Sequence, residues 1–357
     1  MTISSGIIFS HPEAAARAHC AGAPDILPFF MPFAGCKTRC LYCAQNMQTG
    51  MAYAAGAHAR EAELQAASVR LRDLLTERAQ RNAQAVELAF YGGTFTALPD
   101  DWPERFLAVV QPFMEAGSVL GVRCSTRPDA VSVPQLLRLK ALGLRTVELG
   151  VQTFDNDVLA RSLRGYDGET ASAACRMVHE AGLGLGIQLL PGLPGHTPAM
   201  LAGDMRAACA LRPKTMRLYP CVVVRGTGLA RLYERGEYAP WTLDTAAEAC
   251  ASALRVAWRH GVRVIRIGVA QEPSFTENVL AGPYHPAFGS MVRGRALVPY
   301  ILRRVEALGR APRLLMAPQG VRGEFWGYRS ECRPLYAAAG LEPSKVCWWG
   351  AQVFCLL

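Results

Sequence analysis

From about residue 26 onward, apolar runs of strand length alternate with longer stretches of helical spacing. The strand-like runs are ILPFFMPF (26–33), AVELAFYGG (85–93), LGVRCSTR (120–127), TVELGVQ (146–152), LGIQLLPGL (185–193), TMRLYPCVVV (215–224) and VRVIRIGV (262–269). They read as nearly continuous apolar segments, the pattern expected of strands covered on both faces. Between them, 57–82, 101–116, 131–142, 167–181, 197–211 and 243–260 read as helices. SVPQLLRLKALGL (132–144) adds a Ser cap, an early Pro and a closing Gly to the helical spacing. Repeated βα units predict parallel strands joined by right-handed crossovers. The expected fold class is α/β: a partial (βα)6-type or complete TIM-like barrel with a small C-terminal α/β extension. A doubly wound sheet is the competing architecture. In a barrel, ligand chemistry belongs at the C-terminal ends of the strands.

After about residue 272 the rhythm fades. GSMVRGRALVPYILRRVEALG (289–309) reads as one helix, and RLLMAP (313–318) and WWGAQVFCLL (348–357) read as strands. Three parts are expected: an N-terminal segment (1–25), the barrel (26–271) and the C-terminal extension (272–357).

Composition bounds this picture. Hydrophobic residues make up 51% and charged ones 19%, which is a globular balance. The longest apolar stretch, 183–195, is broken by Gly and Pro and falls short of the roughly 18 residues a membrane helix needs. The first twenty residues lack a basic start followed by a long apolar run, so no secretory signal is expected, and the expected location is the cytoplasm with no membrane partner. The net charge of +9 suits a polyanion such as RNA. Arginines scattered along the chain suit a solvated basic surface better.

Twelve cysteines in a reducing compartment favour metal or redox chemistry over disulfides. Three of them cluster in GCKTRCLYCAQN (35–46): Cys36, Cys40 and Cys43, spaced C-x3-C-x2-C. Of the other nine, Cys20 among them, most read as small core residues. A second metal at Cys332, Cys347 and Cys355 is a further option, although no CxxC pair anchors it. The clustered thiols have two readings. Structural zinc needs a fourth ligand, and His11, His19 and His58 all lie apart from the loop. A [4Fe–4S] cluster on three thiolates leaves one iron open to a ligand that is not protein.

Other motifs fall where these strands end. FYGGTFTALP (90–99) offers a Gly pair for close backbone approach. STRPDAV (125–131) sets Arg127 just past a strand, with Asp129 placed to cap the next helix. ELGVQTFDNDVLARSLRGY (148–166) carries Gln152 at a strand end and Arg164 as a bidentate donor for a carboxylate. IQLLPGLPGHT (187–197) puts Gln188 inside an otherwise apolar strand. In NVLAGPYHPAFGSM (278–291), Tyr284 and His285 are candidate proton or hydrogen donors, and Glu272 is a candidate partner nearby.

Together these motifs resemble the radical S-adenosylmethionine (SAM) superfamily. The branch is the one containing the catalytic subunit of the elongator complex and the oxygen-independent coproporphyrinogen oxidases. STRPD, LGVQTFD, LPGLPGHT and LYPCVVVRGTGLARLYERGEYAP (218–240) look like the elongator-like side. The resemblance covers 26 to about 225. It implies that Cys36, Cys40 and Cys43 hold a [4Fe–4S] cluster whose open iron takes the amino and carboxylate groups of SAM. Tyr42 is aromatic where the superfamily prefers it. Gly92, Gly93 and Thr94 would face the methionine amino group, with Thr94 standing where many relatives carry Glu. Arg164 lines up with an Arg near the SAM carboxylate, and Gln152 and Gln188 with ribose contacts. Ser125 stands where relatives have a ribose-binding Glu, and Arg127 is counted among the cofactor contacts.

The chemistry implied is one-electron cleavage of SAM to methionine and a 5′-deoxyadenosyl radical, which takes a hydrogen atom from a substrate. A reductant such as flavodoxin or ferredoxin goes with it, and the barrel interior is expected to be apolar. The substrate is expected to be tRNA or a nucleotide. A tetrapyrrole, or a non-catalytic haem-binding or trafficking role, is the alternative. Elongator-like enzymes carry an acetyltransferase domain after the radical domain. Too little sequence follows here for one, so that complete activity is not expected.

Overall fold

The computed structural model describes residues 6–13, 24–44, 57–269 and 271–357. His19 and Cys20 lie outside the described residues. Strand β1 (Ile7–Ser10) comes first, then β2 (Asp25–Phe30). There follow α1 (Ala57–Gln80), β3 (Val86–Tyr91), α2 (Trp102–Glu115), β4 (Val119–Thr126), α3 (Val133–Ala141) and β5 (Leu144–Gln152). Next are α4 (Asn156–Arg161), α5 (Gly168–Glu180), β6 (Gly184–Leu189), α6 (Pro198–Ala210), β7 (Thr215–Leu218) and β8 (Val223–Val224). After these come α7 (Gly228–Glu234), α8 (Leu243–Arg259), β9 (Arg263–Ile267), α9 (Pro273–Thr276), β10 (Val279–Ala281) and α10 (Phe288–Leu308). The chain closes with β11 (Leu315–Pro318), α11 (Arg322–Phe325), α12 (Arg333–Ala338), β12 (Val346–Trp349) and β13 (Val353–Leu356).

Seven strands form one sheet in the order β2-β3-β4-β5-β6-β7-β9, with every neighbouring pair parallel. The sheet curls into an open half-barrel, so the partial barrel is the architecture adopted. Local chemistry sets the helix starts. Asp167, Thr197 and Thr242 each accept a hydrogen bond from the backbone N–H three residues on, at 2.8, 3.2 and 3.1 Å, as N-caps.

The two faces of the sheet differ. Leu88, Phe90, Val122, Cys124, Val147, Leu149, Ile187, Leu189, Met216 and Leu218 are buried against the helices and form the main core. Alternate residues of the same strands, Glu87, Tyr91, Arg123, Ser125, Glu148, Gln188 and Arg217, point to the concave side. The expected apolar interior is therefore corrected: the half-barrel is lined by charge. Aliphatic residues on the covered face, with Ala and Gly between them, hid the period-two alternation.

Other expectations also shift. TMRLYPCVVV (215–224) splits into β7 and β8, because Pro220 has no N–H to give a ladder. The single strand expected over 348–357 is instead the end of β12 followed by β13. The described part of the N-terminal segment is not separate: β1 pairs antiparallel with β13, Ile7 opposite Leu356 and Ser10 opposite Val353. It is the edge of a four-stranded sheet, β1-β13-β11-β12. Helix α10 serves both cores: Phe288, Met291, Val292 and Ala296 pack with the barrel, Val298 and Ile301 with the small sheet.

Cys124, Cys175, Cys209, Cys250 and Cys332 are buried core residues, as expected. Cys347 and Cys355 flank Met316 on either side in the small sheet. Among the described residues no group of three His, Cys, Asp or Glu side chains is gathered for one metal ion, there or elsewhere. Among the same residues no helix is long and apolar enough to cross a membrane.

Candidate cofactor site at the open end of the half-barrel

The cysteine loop leaves the C-terminal end of β2 and packs against the loop after β3. Met31 extends the ladder by donating from its N–H to the Tyr91 carbonyl at 2.8 Å, and Thr94 N–H donates to the Ala34 carbonyl at 2.9 Å. Contact is so close that a Cβ on Gly35 would fall 2.3 Å from the Thr94 carbonyl oxygen, and one on Gly93 2.3 Å from that of Ala34. Both glycines also have positive φ, +82° and +65°. A Cβ on Gly92, φ +92°, would fall 2.6 Å from the Met31 carbonyl oxygen, so the Gly92–Gly93 pair serves first to seat the thiol loop. Thr94 is fully buried, and its hydroxyl lies 3.0 Å from the Cys36 sulfur. Burial pushes the Cys36 thiol up, with the Thr94 hydroxyl and the Arg127 and Arg164 charges working against it.

Cys40 is buried and meets two arginines from the loops after β4 and β5. Arg164 Nη1 donates to the Cys40 sulfur at 3.0 Å, and Arg127 Nη1 reaches it at 3.5 Å. Each guanidinium is fixed elsewhere. Arg127 forks onto Asp129 at 2.8 and 2.9 Å and donates to the Arg164 carbonyl. Asp129 was expected to cap a helix; it makes no cap hydrogen bond and clamps Arg127 instead. Arg164 donates to the Gly150 carbonyl and to the Tyr166 hydroxyl. Both cations lie over the Tyr166 ring, at 5.5 and 4.9 Å. Burial pushes the Tyr166 phenol up to about 12 despite Arg164. The Tyr42 hydroxyl, on the residue before Cys43, is buried without a hydrogen-bond partner among the described residues. Burial holds that phenol neutral, well above its ordinary value.

Below this mouth lies the charged floor. Glu148 Oε1 accepts from Tyr91 at 3.0 Å, Arg123 Nη1 at 2.9 Å and Arg217 Nη2 at 3.0 Å. Its Oε2 accepts from Gln188 at 2.9 Å and lies 2.8 Å from Arg217 Nε. Arg123 also pairs with Glu87, which accepts from Thr146 at 3.4 Å. Two carboxylates face two guanidiniums, and the Arg123 and Arg217 Nε–H groups are the ones left without an aligned acceptor. Burial alone would raise the Glu148 carboxyl. Arg217 and Arg123, with hydrogen bonds from Arg217 and Gln188, hold it below the ordinary carboxylate range.

The remaining sequence candidates fall at several places. Gln152 ends β5 with φ +71°, a left-handed conformation costly for a non-glycine residue, beside a register shift against β6. Its amide makes no hydrogen bond to another described residue. Gln188 and Ser125 belong to the floor, joined at 3.3 Å. Tyr284 packs in a small cluster with Ala44, next to Cys43, and its hydroxyl lies 2.7 Å from that of Thr276. His285 is not brought to the thiols by any contact: its Nδ1 accepts from Ala287 N–H at 3.0 Å and its ring meets Tyr328 edge-on at 4.6 Å. Glu272 is exposed at the start of α9. Sequence reasoning passed over Tyr166, Tyr91, Glu148, Arg123 and Arg217. The available signal was a charged residue in the middle of otherwise apolar strands.

The sequence matches the Radical SAM superfamily over residues 30–208 and the Radical_SAM C-terminal domain over 213–296. It is 28% identical over 203 residues to the tRNA uridine(34) acetyltransferase of Methanocaldococcus jannaschii, covering 51% of this chain and 38% of that protein. It is 28% identical over 209 residues to Elongator complex protein 3 of Homo sapiens, covering 51% and 37%. The matched stretch thus spans well under two thirds of these relatives. Among solved structures, the fold is similar to archaeal Methanocaldococcus infernus Elp3 with an N-terminal deletion (TM-score 0.58, 21% identity, 80% of this chain and 64% of that one). It is also similar to coproporphyrinogen III oxidase (HemN) from Escherichia coli (TM-score 0.52, 19% identity, 71% and 57%).

Proposed function

The chain belongs to the radical SAM superfamily, and from that premise we propose that Cys36, Cys40 and Cys43 hold the cluster of an enzyme acting on tRNA or a nucleotide. A [4Fe–4S] cluster and SAM are the cofactors that go with this membership. The observation that carries the reading is the convergence of Arg127 and Arg164 on a buried thiol of the C-x3-C-x2-C loop. The residues fit a thiolate-held, anionic group: among the described residues two buried guanidiniums face one carboxylate, Asp129, and the Tyr42 hydroxyl is buried without a partner. Uncompensated buried charge is costly, so the imbalance favours an anion at this place.

When bound, the cluster supplies the electron that splits SAM and so provides a radical for hydrogen abstraction. The chain's own residues position and shield. Thr94 and Gly93 bring the loop after β3 against Cys36. Gln152 offers an amide that bonds no other described side chain, at a strained strand end, suited to ribose hydroxyls. Tyr166 braces the arginines, and Tyr284 closes the side of the loop next to Cys43. Gln188 and Ser125 support from the floor rather than standing free, so their ribose role is subordinate here. The reading includes a flavodoxin- or ferredoxin-type donor in a reducing cytoplasm. The RNA class rests on the names of the relatives and on the net charge of +9.

The test is anaerobic reconstitution with iron and sulfide, followed by dithionite and SAM. Wild type is expected to hold about four irons per chain and to form 5′-deoxyadenosine, and Cys40→Ala to lose both. Unmodified tRNA is expected to bind with strong salt dependence. Zinc at the thiols, or no deoxyadenosine under strong reductant, would refute the assignment; salt-insensitive or absent tRNA binding would refute the substrate class alone.

A further inference from the structure

We infer that Arg127 and Arg164 form a guanidinium clamp on the Cys40 sulfur that raises the reduction potential of the group the thiols hold. The inference rests on the cluster reading above and adds a job for these side chains that contact with SAM does not cover.

The clamp distinguishes Cys40 from Cys36. Cys36 has a neutral hydroxyl beside its sulfur, whereas Cys40 has two cationic N–H donors, from residues 87 and 124 positions away. Both donors are preset. Arg127 is locked by its fork on Asp129, and Arg164 by the Gly150 carbonyl and the Tyr166 hydroxyl. In each, the nitrogen left over is the one aimed at sulfur. Arg164 has its Nε and both Nη atoms engaged this way, which leaves little of its fork for a carboxylate.

Charge points the same way. Arg127 and Arg164 are 6% and 4% exposed, and of the carboxylates among the described residues only Asp129 pairs with either. A thiolate at Cys40 restores the balance, and further negative charge there is welcomed. Potentials of iron–sulfur groups are set by net charge, hydrogen bonds to the sulfurs and solvent exposure. Here the nearby positive charge and the hydrogen bonds to sulfur raise the potential, against the lowering that burial of Cys40 brings. The step concerned is the addition of one electron from an external one-electron donor; no bond forms or breaks and no proton moves.

The experiment is a redox titration of reconstituted protein without SAM, with iron content and the electron paramagnetic resonance (EPR) signal of the reduced state as readouts. Wild type is compared with Arg127→Met and Arg164→Met. Each variant is expected to retain iron and to show at least a tenfold smaller reduced-to-oxidised ratio at fixed potential. That corresponds to a midpoint about 59 mV more negative for one electron. Arg127→Lys and Arg164→Lys keep the charge but lose the fork, and are expected to shift in the same direction by less. Full iron with a midpoint equal to wild type in both methionine variants overturns the clamp and leaves the cluster reading intact. If the methionine variants lose iron, unmoved midpoints in both lysine variants overturn it. Wild type without iron overturns the cluster reading and the clamp together.

Discussion

Two polar regions share this half-barrel, and they are built on opposite principles. On the floor, Glu87 and Glu148 face Arg123 and Arg217, and each carboxylate oxygen has a donor. At the mouth, among the described residues, Arg127 and Arg164 face one carboxylate, Tyr42 buries a hydroxyl with no partner, and Gln152 is strained with an unbonded amide. A network whose carboxylates are all matched, with only the Arg123 and Arg217 Nε–H groups lacking an aligned acceptor among the described residues, stabilises the chain that makes it. An open one holds places for something the chain does not supply. The difference separates residues whose loss costs folding from residues whose loss costs a cofactor.

Substitutions can break that separation if it is wrong. The largest contrast is Cys40→Ala. Iron after reconstitution should fall to background, while stability by urea denaturation should change by only about 1 kcal/mol. Glu148→Ala should do the reverse. Removing a carboxylate that is 1% exposed strands the buried Arg217 guanidinium and leaves Arg123 to Glu87 alone, at a cost of about 3–5 kcal/mol. The protein that remains folded should still take up iron. Equal loss of stability in both variants would erase the distinction.

Acid should weaken the floor. The folded Glu148 carboxyl lies below its ordinary value because of Arg217 and Arg123, so it binds its proton less readily folded than unfolded. The stability it contributes is complete above the ordinary value of about 4.3 and is lost as pH falls from there through the lower folded value. Denaturation midpoints measured from neutral to acid pH should steepen over that window, and Glu148→Gln should flatten the curve. A variant curve parallel to wild type would rule Glu148 out as the cause.

Smaller effects sharpen the account of the mouth. Gln152→Gly relieves the left-handed strain and deletes one amide, so SAM binding should weaken by about tenfold at most, the worth of one hydrogen bond, with stability little changed. Equilibrium dialysis with labelled SAM reads this. Tyr42→Phe removes an unpartnered buried hydroxyl, and stability should stay level or rise by about 1 kcal/mol. A fall instead would mean that the hydroxyl has a partner in the apo protein.

Much of this was legible in the sequence, for physical reasons. Parallel strands need long crossovers, so the alternation of runs gave the sheet, and βα topology gathered Cys36, Gly93, Arg127, Gln152 and Arg164 at one end. What escaped depends on contacts far apart in sequence. IIFS (7–10) is too short to announce a strand, and its partner β13 lies at the other end of the chain. Asp129 looked like a helix cap because local spacing fits one, yet a buried arginine competes for it more strongly. The floor escaped because each strand carries only one or two of its members, and the balance of charge exists only across the sheet.

The central claim is an iron group on three thiols, open to a ligand from outside the chain. EPR of the anaerobically reconstituted, dithionite-reduced protein, recorded before and after SAM is added, tests it most directly. The account predicts a reduced-cluster signal that changes shape on addition of SAM and is absent from Cys40→Ala. A signal indifferent to SAM, or thiols occupied by zinc with no signal at all, would contradict it.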